Sequence, residues 1–271
     1  MCDSIQNIIQ EYNQRLQNTW HPAEHKQRGI PCPSQQLKDF FVEFVPGECY
    51  IFIGSRHYMA LEHFRTWLLW HFIHQSISIG IRSPHITPQK DFQWLLSLES
   101  GYSFQSLPSL EKADITQQEN IHKAIQTLST SRLEWCSAKT PIYNNMHDIY
   151  FFSLSLQEWK EEHCFILPKL AKRLQKPIFV FVYMDKQRNN ALGNPYYLNI
   201  DDLYDENNYR FSSEYGDYIG FVYPSWPMWK HSWLEDNTSD ITLNIQDLRQ
   251  IRQRLCVFQI DNMQRLVDYN I

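Results

Sequence analysis

Cysteine and histidine are the side chains in this sequence best suited to metal or nucleophilic chemistry. The six cysteines are dispersed along the chain and form no C-x-x-C pair. His71 and His74 share one face of a predicted helix, but no Cys or carboxylate lies nearby in sequence to complete a set of ligands. Dispersed cysteines in a chain of this size are typical of reduced, mostly buried thiols. The sequence therefore predicts no metal site and a cytoplasmic location.

The composition is that of a globular protein rich in aromatic side chains. The chain has 271 residues, of which 43% are hydrophobic, 20% charged and 15% aromatic, and these values exclude collagen-like and disordered classes. The chain has a formal charge of −5 and therefore lacks the excess of basic residues that is typical of a nucleic-acid-binding protein. The longest apolar stretch, Trp67 to Ile73, is too short to span a membrane. We expect no membrane association and no binding of nucleic acid by this chain alone.

The first residues predict an amphipathic helix over residues 4–18, with Ser4 as a candidate N-cap. Its apolar side chains form one stripe, which consists of Ile5, Ile8, Ile9, Tyr12 and Leu16. Because such a stripe has to be buried, we expect it to pack on the body of the protein or on a neighbouring subunit. Residues 1–28 comprise this helix and a connector, and residues 29–271 form one domain.

The rest of the chain alternates strands and helices as an α/β domain does. The predicted strands are Cys49–Ile53, Ser76–Ile81, Leu133–Cys136, Ile149–Leu154, Ile178–Tyr183, Tyr218–Tyr223, Ile241–Ile245 and Leu255–Ile260. The predicted helices are Met59–His74, Thr87–Glu99, Thr116–Leu128 (capped by Thr116, with Glu119 three residues on) and Leu156–Leu174. Continuous apolar character places the strands that begin at residues 49, 149, 178 and 218 together inside a mainly parallel sheet with helices on both faces. The last two strands are expected to be antiparallel at an edge.

Several short blocks of residues occur in order along the chain. Gly29-Ile30-Pro31 and Pro46-Gly47-Glu48 precede the first predicted strand of the sheet, and further blocks are Leu95–Gly101, Leu170–Leu174 with Pro177, and Gly216–Tyr223. Together they resemble the C-terminal RecA-like motor domain of bacterial DnaB-type replicative helicases, in which the first two blocks precede the first strand and its P-loop. The resemblance implies a RecA-like three-layer α/β/α fold, a P-loop NTPase-like domain, with a mainly parallel central sheet. It also implies that the N-terminal helix corresponds to the family's linker helix, which docks on the neighbouring subunit.

The positions that bind ATP in that family hold other residues here. Arg56 and Met59 match the P-loop pattern, but its glycine, lysine and threonine positions are occupied by Ala60, Leu61 and Glu62. A P-loop needs glycine backbone, a lysine and a hydroxyl to hold the phosphates and Mg²⁺. We therefore regard residues 56–62 as a degenerate remnant and expect no nucleotide cofactor.

The other catalytic positions implied by the resemblance are replaced as well. The Walker B aspartate position holds Ser153, the catalytic glutamate position holds His85 and the polar sensor position holds Tyr183. The segment that follows Ser153, which lines the DNA channel in that family, is short and acidic here, the wrong sign for binding phosphates. The sequence thus predicts no catalytic residue.

Two further segments are candidate partner surfaces. An aromatic, loop-like stretch contains Trp226, Trp229 and Trp233, which either bind a partner or pack over a sheet edge. Near the C-terminus, Arg249 lies where the helicase family has a basic finger, although the glycine and proline of that turn are missing. A solvated helix face is the alternative interpretation of this basic cluster.

Three functions remain open on these observations. The first is a non-catalytic, helicase-like pseudo-ATPase, an interaction or regulatory partner in DNA replication or mobile-element maintenance. The second is a divergent ATP-dependent DNA helicase or ATPase, for which Leu61, Glu62 and Ser153 leave no phosphate or Mg²⁺ ligand. The third is an unrelated enzyme that uses His57, His63 and His85, which the resemblance places near the degenerate pocket. We favour the first, with a protein partner or self-association.

Overall fold

We describe the protein from a computed structural model. The structure describes residues 29–38, 40–55, 59–102, 114–136, 146–184, 216–224, 240–247, 252–260 and 266–268. The helix predicted over residues 4–18, with Ile5, Ile8, Ile9, Tyr12 and Leu16, lies outside these residues. Arg56, His57, Trp226, Trp229, Trp233 and Arg249 lie outside them as well.

A large sheet forms the centre of the fold. The described strands are β1 (Ile30–Pro31), β2 (Glu43–Phe44), β3 (Cys49–Ser55), β4 (Ile79–Arg82), β5 (Leu133–Trp135), β6 (Ile149–Ser155), β7 (Ile178–Met184), β8 (Tyr218–Pro224), β9 (Asp240–Asp247), β10 (Arg252–Ile260) and β11 (Leu266–Asp268). β1 and β2 form a small antiparallel ribbon. The other nine described strands form one sheet in the order β11-β10-β9-β8-β3-β7-β6-β4-β5. Pairing is parallel from β8 to β5 and antiparallel from β8 to β11.

The strands predicted for the interior of the sheet are neighbours there, in the order β8, β3, β7 and β6. Every residue of β7 is buried. A parallel strand covered on both faces has no solvent side, so its sequence is continuously apolar rather than alternating. The prediction of a mainly parallel sheet is confirmed. The antiparallel strands β9 and β10 also lie towards one edge, as expected, with β11 outside them.

Helices cover both faces of this sheet. They are α1 (Gln35–Lys38), α2 (Ala60–His74), α3 (Pro88–Ser100), α4 (Ile115–Ser129), α5 (Leu156–Glu158) and α6 (Ile166–Leu174). On one face Phe72 of α2 packs against Phe179 of β7, with ring centroids 5.4 Å apart, in a core that α3 and α4 share. On the other face Leu167 of α6 belongs to a second core with Val180. The three-layer α/β/α architecture is therefore confirmed. None of the described helices is long and apolar enough to cross a membrane.

The single helix predicted over Leu156–Leu174 is wrong, because the structure divides it. Ser155 and Glu158 form a capping box at α5, a π-helical turn covers Trp159–His163, and α6 begins anew at Ile166. Pro168 explains the restart, since proline is tolerated only in the first turn of a helix. In the π-helical turn, the Trp159 side chain is buried in the core on the α6 side of the sheet.

Two other boundaries differ from the predicted ones. α4 is capped by Asp114 with Gln117 rather than by Thr116 with Glu119, so the capping box lies two residues earlier. The strand predicted from Ser76 begins only at Ile79. Ser76 has a left-handed φ of 58°, which is incompatible with an extended strand.

Candidate functional site

The candidate site lies where the parallel strands end at their carboxyl edge. β3 leads towards α2, β4 towards His85 and α3, and β6 towards α5. In open α/β sheets, ligands bind at this edge. Met59, Ala60, Leu61, Glu62, His85 and Ser153 all belong to the strand ends or helix starts of this region. The side chains at this edge therefore determine which ligands the chain could bind.

The start of α2 is closed by apolar packing. Met59 caps the helix with a left-handed φ of 31°, and Leu61 in its first turn is 0% exposed. Leu61 lies so close to β3 that a Cβ on Gly54 would be 2.9 Å from the Leu61 Cβ. This side chain fills the space between helix and strand, and a side chain at position 54 would collide with it.

One turn further along α2, an arginine is buried in an ion pair. The Arg65 guanidinium donates two hydrogen bonds to the Asp91 carboxylate of α3, at 2.6 and 2.8 Å. Both side chains are only 1% exposed, and Trp135 of β5 donates a third hydrogen bond to Asp91 at 3.0 Å. Burial alone would lower the pKa of Arg65, but the Asp91 carboxylate raises it above its usual value. The arginine is therefore always charged.

Further polar side chains surround this ion pair. Glu62 lies close enough to act electrostatically on both Arg65 and Tyr183. Burial, followed by the charge of Glu62, raises the pKa of the Tyr183 hydroxyl, while Arg65 opposes the shift. Ser153, fully buried on β6, adjoins Tyr183. We call Glu62, Arg65, Asp91, Ser153 and Tyr183 the buried polar cluster; it combines two carboxylates with one guanidinium.

His85 and Glu158 form a second, more accessible pair at the rim of the edge. The His85 Nε2 lies 2.5 Å from Glu158, and both side chains are about one third exposed. Glu158 also accepts hydrogen bonds from the backbone N–H and the hydroxyl of Ser155. Partial burial alone would raise the pKa of Glu158, but the hydrogen bonds from His85 and Ser155 lower it. The carboxylate thus stays ionised and orients the imidazole.

The histidines considered together from the sequence have different partners. His85 contacts Glu158, whereas the His63 ring packs edge-on against Trp94 with centroids 4.7 Å apart. Burial lowers the pKa of His63 to about 4, which keeps it neutral at physiological pH. His63 is therefore part of the packing between α2 and α3.

Sequence reasoning missed Arg65, Asp91, Trp135 and Glu158. One signal was present, because Arg65 follows Leu61 by one helical turn in a helix that also carries Phe64, Trp67 and Leu68 on or beside the same face. A charge on such a face has to be paired. The identity of its partner was not readable, since Asp91 is 26 residues away.

The buried ion pair yields a stability prediction. Asp91→Ala removes the carboxylate that pairs with the buried Arg65 guanidinium, and should lower the free energy of unfolding by about 3–5 kcal/mol. Arg65→Met combined with Asp91→Ala should recover part of that loss. Glu161→Ala, at an exposed hydrogen bond, is the control and should change stability by less than about 1 kcal/mol. Urea denaturation measures all three; equal effects of Asp91→Ala and the control would contradict the prediction.

His63 yields a pH prediction. Its pKa is about 4 in the folded chain and 6.5 for the free side chain, so the unfolded chain binds a proton that the folded chain does not. Above pH 6.5 His63 is neutral in both states and costs the folded state nothing. As the pH falls from 6.5 towards 4, proton binding by the unfolded chain lowers the free energy of unfolding, by at most about 1.4 kcal/mol per pH unit. His63→Gln should flatten the fall of the melting temperature between pH 6.5 and 4. The exposed control His122→Gln should leave it unchanged, and identical profiles for both variants would refute the assignment.

Three solved structures have a fold similar to that of this chain. The solved structure of a DnaB-like replicative helicase, described together with its interactions with primase, matches 100% of this chain and 68% of its own, with a TM-score of 0.75 and 13% identity. A second solved structure, an isolated ATPase domain, covers 100% of both chains, with a TM-score of 0.66 and 11% identity. The flagellar accessory protein FlaH from Methanocaldococcus jannaschii covers 89% of this chain and 98% of its own, with a TM-score of 0.53 and 11% identity.

No protein-family model matches the sequence, and no curated protein matches it. The relationship is thus one of three-dimensional structure. At 11–13% identity, the similarities show that this chain has the RecA-like α/β fold found in helicase motor domains.

Proposed function

We propose that this chain is a non-catalytic, helicase-like protein, a pseudo-ATPase that keeps the motor fold and acts through protein contacts. The observation that carries the proposal is the buried polar cluster at the carboxyl edge of the sheet. In an active member of the fold, this edge carries a lysine, a hydroxyl and an aspartate that together hold Mg²⁺ and the triphosphate. In this chain the corresponding side chains are buried and closely packed.

The lysine position illustrates the change most directly. Leu61 is fully buried against Gly54, so it offers neither a positive charge nor an open space. Each charge-assisted hydrogen bond to a phosphate is worth about 1.5–3 kcal/mol. Loss of the lysine removes several such contacts at once.

The Mg²⁺ positions argue in the same direction. Ser153 supplies a fully buried hydroxyl where the metal requires an aspartate. Glu62 places a carboxylate at the threonine position, beside a guanidinium that Asp91 already pairs. A phosphate oxygen about 4 Å from that carboxylate would be repelled by roughly 4 kcal/mol at a surface-like dielectric. The cluster therefore favours exclusion of ATP·Mg²⁺.

The biological role in the proposal is an interaction or regulatory one, in DNA replication or mobile-element maintenance. It rests on analogy with the helicase neighbours, one of which was described together with its interactions with primase. The apolar stripe at Ile5, Ile8, Ile9, Tyr12 and Leu16 is the surface that we assign to self-association or docking. Co-purification of the chain from its native host, with mass spectrometry of bound proteins, would identify the partner.

ATP binding provides the direct test. Calorimetric titration of the unmodified chain with ATP·Mg²⁺ should give no binding, because the lysine and both Mg²⁺ ligands are replaced. The double variant Leu61→Lys, Glu62→Thr should bind weakly if the positions correspond as proposed, and its circular dichroism spectrum checks that it is folded. A micromolar dissociation constant for the unmodified chain would instead establish a divergent ATPase.

The apolar stripe has its own test. Ile8→Asp with Ile9→Asp should reduce either the mass of the protein in solution or its melting temperature, because burial of each isoleucine contributes up to about 1.5–3 kcal/mol. Gln10→Asp with Gln14→Asp places the same charges on the polar face and serves as the control. Light scattering compares the masses with 32.6 kDa for one chain. Indistinguishable pairs of variants would exclude the stripe as an interface.

A further inference from the structure

Three potential ligand atoms converge beside the edge strand β5. Glu134 lies in β5, Cys136 directly follows it, and His147 precedes β6. One ligand atom from each lies within 4.8 Å of the other two. In the part of the chain that the structure describes, no other group of three such residues comes together in this way. We propose that Glu134, Cys136 and His147 bind a divalent transition-metal ion of the zinc class.

The spacing of these atoms already approaches that of a tetrahedral site. The Nε2 of His147 lies 3.3 Å from a carboxylate oxygen of Glu134. Zinc bonds of about 2.0–2.2 Å to nitrogen and oxygen, at a tetrahedral angle, separate the two ligand atoms by about 3.4 Å. The nitrogen and oxygen therefore need almost no movement to share an ion. The sulfur of Cys136, on a side chain that is not completely buried, is the third ligand atom and lies within 4.8 Å of the other two.

A glycine in the neighbouring strand makes room for the histidine. Gly80 of β4 pairs in register with Glu134 on one side and with Tyr150 of β6 on the other. Side chains at paired positions share one face of the sheet, so Gly80 leaves a gap between the other two. The His147 ring occupies this gap, and a Cβ on Gly80 would be 2.7 Å from its Cδ2. The sheet thus holds the imidazole directly beside Glu134.

Hydrogen bonds fix which ring nitrogen is available. The Nδ1 of His147 lies 3.1 Å from the Ser78 hydroxyl, and Ser78 is tied to the neighbouring Asp148 by two hydrogen bonds of 2.9 Å. Metal-binding histidines are usually held in this way through their second nitrogen. Nε2 is left to face Glu134. The backbone N–H of Cys136 donates to Ile81 at 2.7 Å, which anchors the cysteine on β4 as well.

The donor set selects the kind of ion. Thiolate and imidazole favour zinc and its transition-metal neighbours, whereas Mg²⁺ and Ca²⁺ require oxygen donors. Cys136 binds as the thiolate and releases its proton to solvent. Three protein ligands leave a fourth position for water or another donor. The ion would link the chain before residues 137–145 to the chain after them.

The site is separate from the buried polar cluster. Trp135, between two of the proposed ligands, reaches Asp91, and alternate residues of a strand point to opposite faces. Glu134 and Cys136 therefore lie on the other face of β5. Metal binding at this site is therefore independent of the proposed function.

Zinc titration of the full chain tests the site. After treatment with a chelator, competition with a chromophoric zinc indicator should show one tightly bound equivalent. Cys136→Ser and His147→Gln should each weaken binding by more than about 100-fold, and Ser78→Ala by about tenfold, the range for loss of a supporting hydrogen bond. Cys164→Ser and His74→Gln are matched controls, since His74 also pairs with a glutamate, Glu99; both should bind zinc as the unmodified chain does.

Glu134→Gln separates loss of a metal ligand from loss of folding. The Glu134 side chain is 59% exposed, so this substitution should not disturb the core. It should weaken zinc binding while leaving the circular dichroism spectrum unchanged. Cobalt(II) gives a second measurement, a thiolate-to-cobalt charge-transfer band that Cys136→Ser should abolish. Absence of a bound equivalent in the unmodified chain, or equal affinity in Glu134→Gln, Cys136→Ser and the controls, would overturn the proposal.

Discussion

A guanidinium and a carboxylate sealed from water have to stay together, because either alone would be an uncompensated charge in the core. The Arg65–Asp91 pair imposes this constraint on three elements. Arg65 belongs to α2, Asp91 to α3, and Trp135, which donates to the same carboxylate, to β5. The position of the two helices relative to the sheet edge is thus fixed by polar geometry as well as by apolar packing.

Apolar packing beside this pair acts on the same edge of the sheet. Leu61, one helical turn before Arg65, is fully buried and lies against Gly54 of β3. Glu62, which is also buried, places a second carboxylate near the guanidinium. The start of α2 is therefore held to the sheet by apolar contacts and by charges that lie within a few residues of each other.

The sequence was informative where local patterns decide the structure. The four central strands were predicted because double-sided burial makes each of them continuously apolar. The helix α3 was predicted from the spacing of its apolar side chains and from Gly101, which ends it. The break at Trp159–His163 was missed, although Pro168 marks it. The resemblance supplied positions such as Leu61 and Ser153, but contacts between distant residues were not accessible. Glu134 meets His147 only because β5, β4 and β6 pair in one register, which no local pattern encodes.

The close approach of Leu61 to Gly54 has a consequence for substitutions at the start of α2. A lysine at position 61 would bring its charge into a space from which solvent is excluded, while a threonine at position 62 would remove a carboxylate from the surroundings of Arg65. Because substitutions that share contacts do not act additively, we expect the effects of Leu61→Lys and Glu62→Thr on stability to be coupled, so that neither can be inferred from the other.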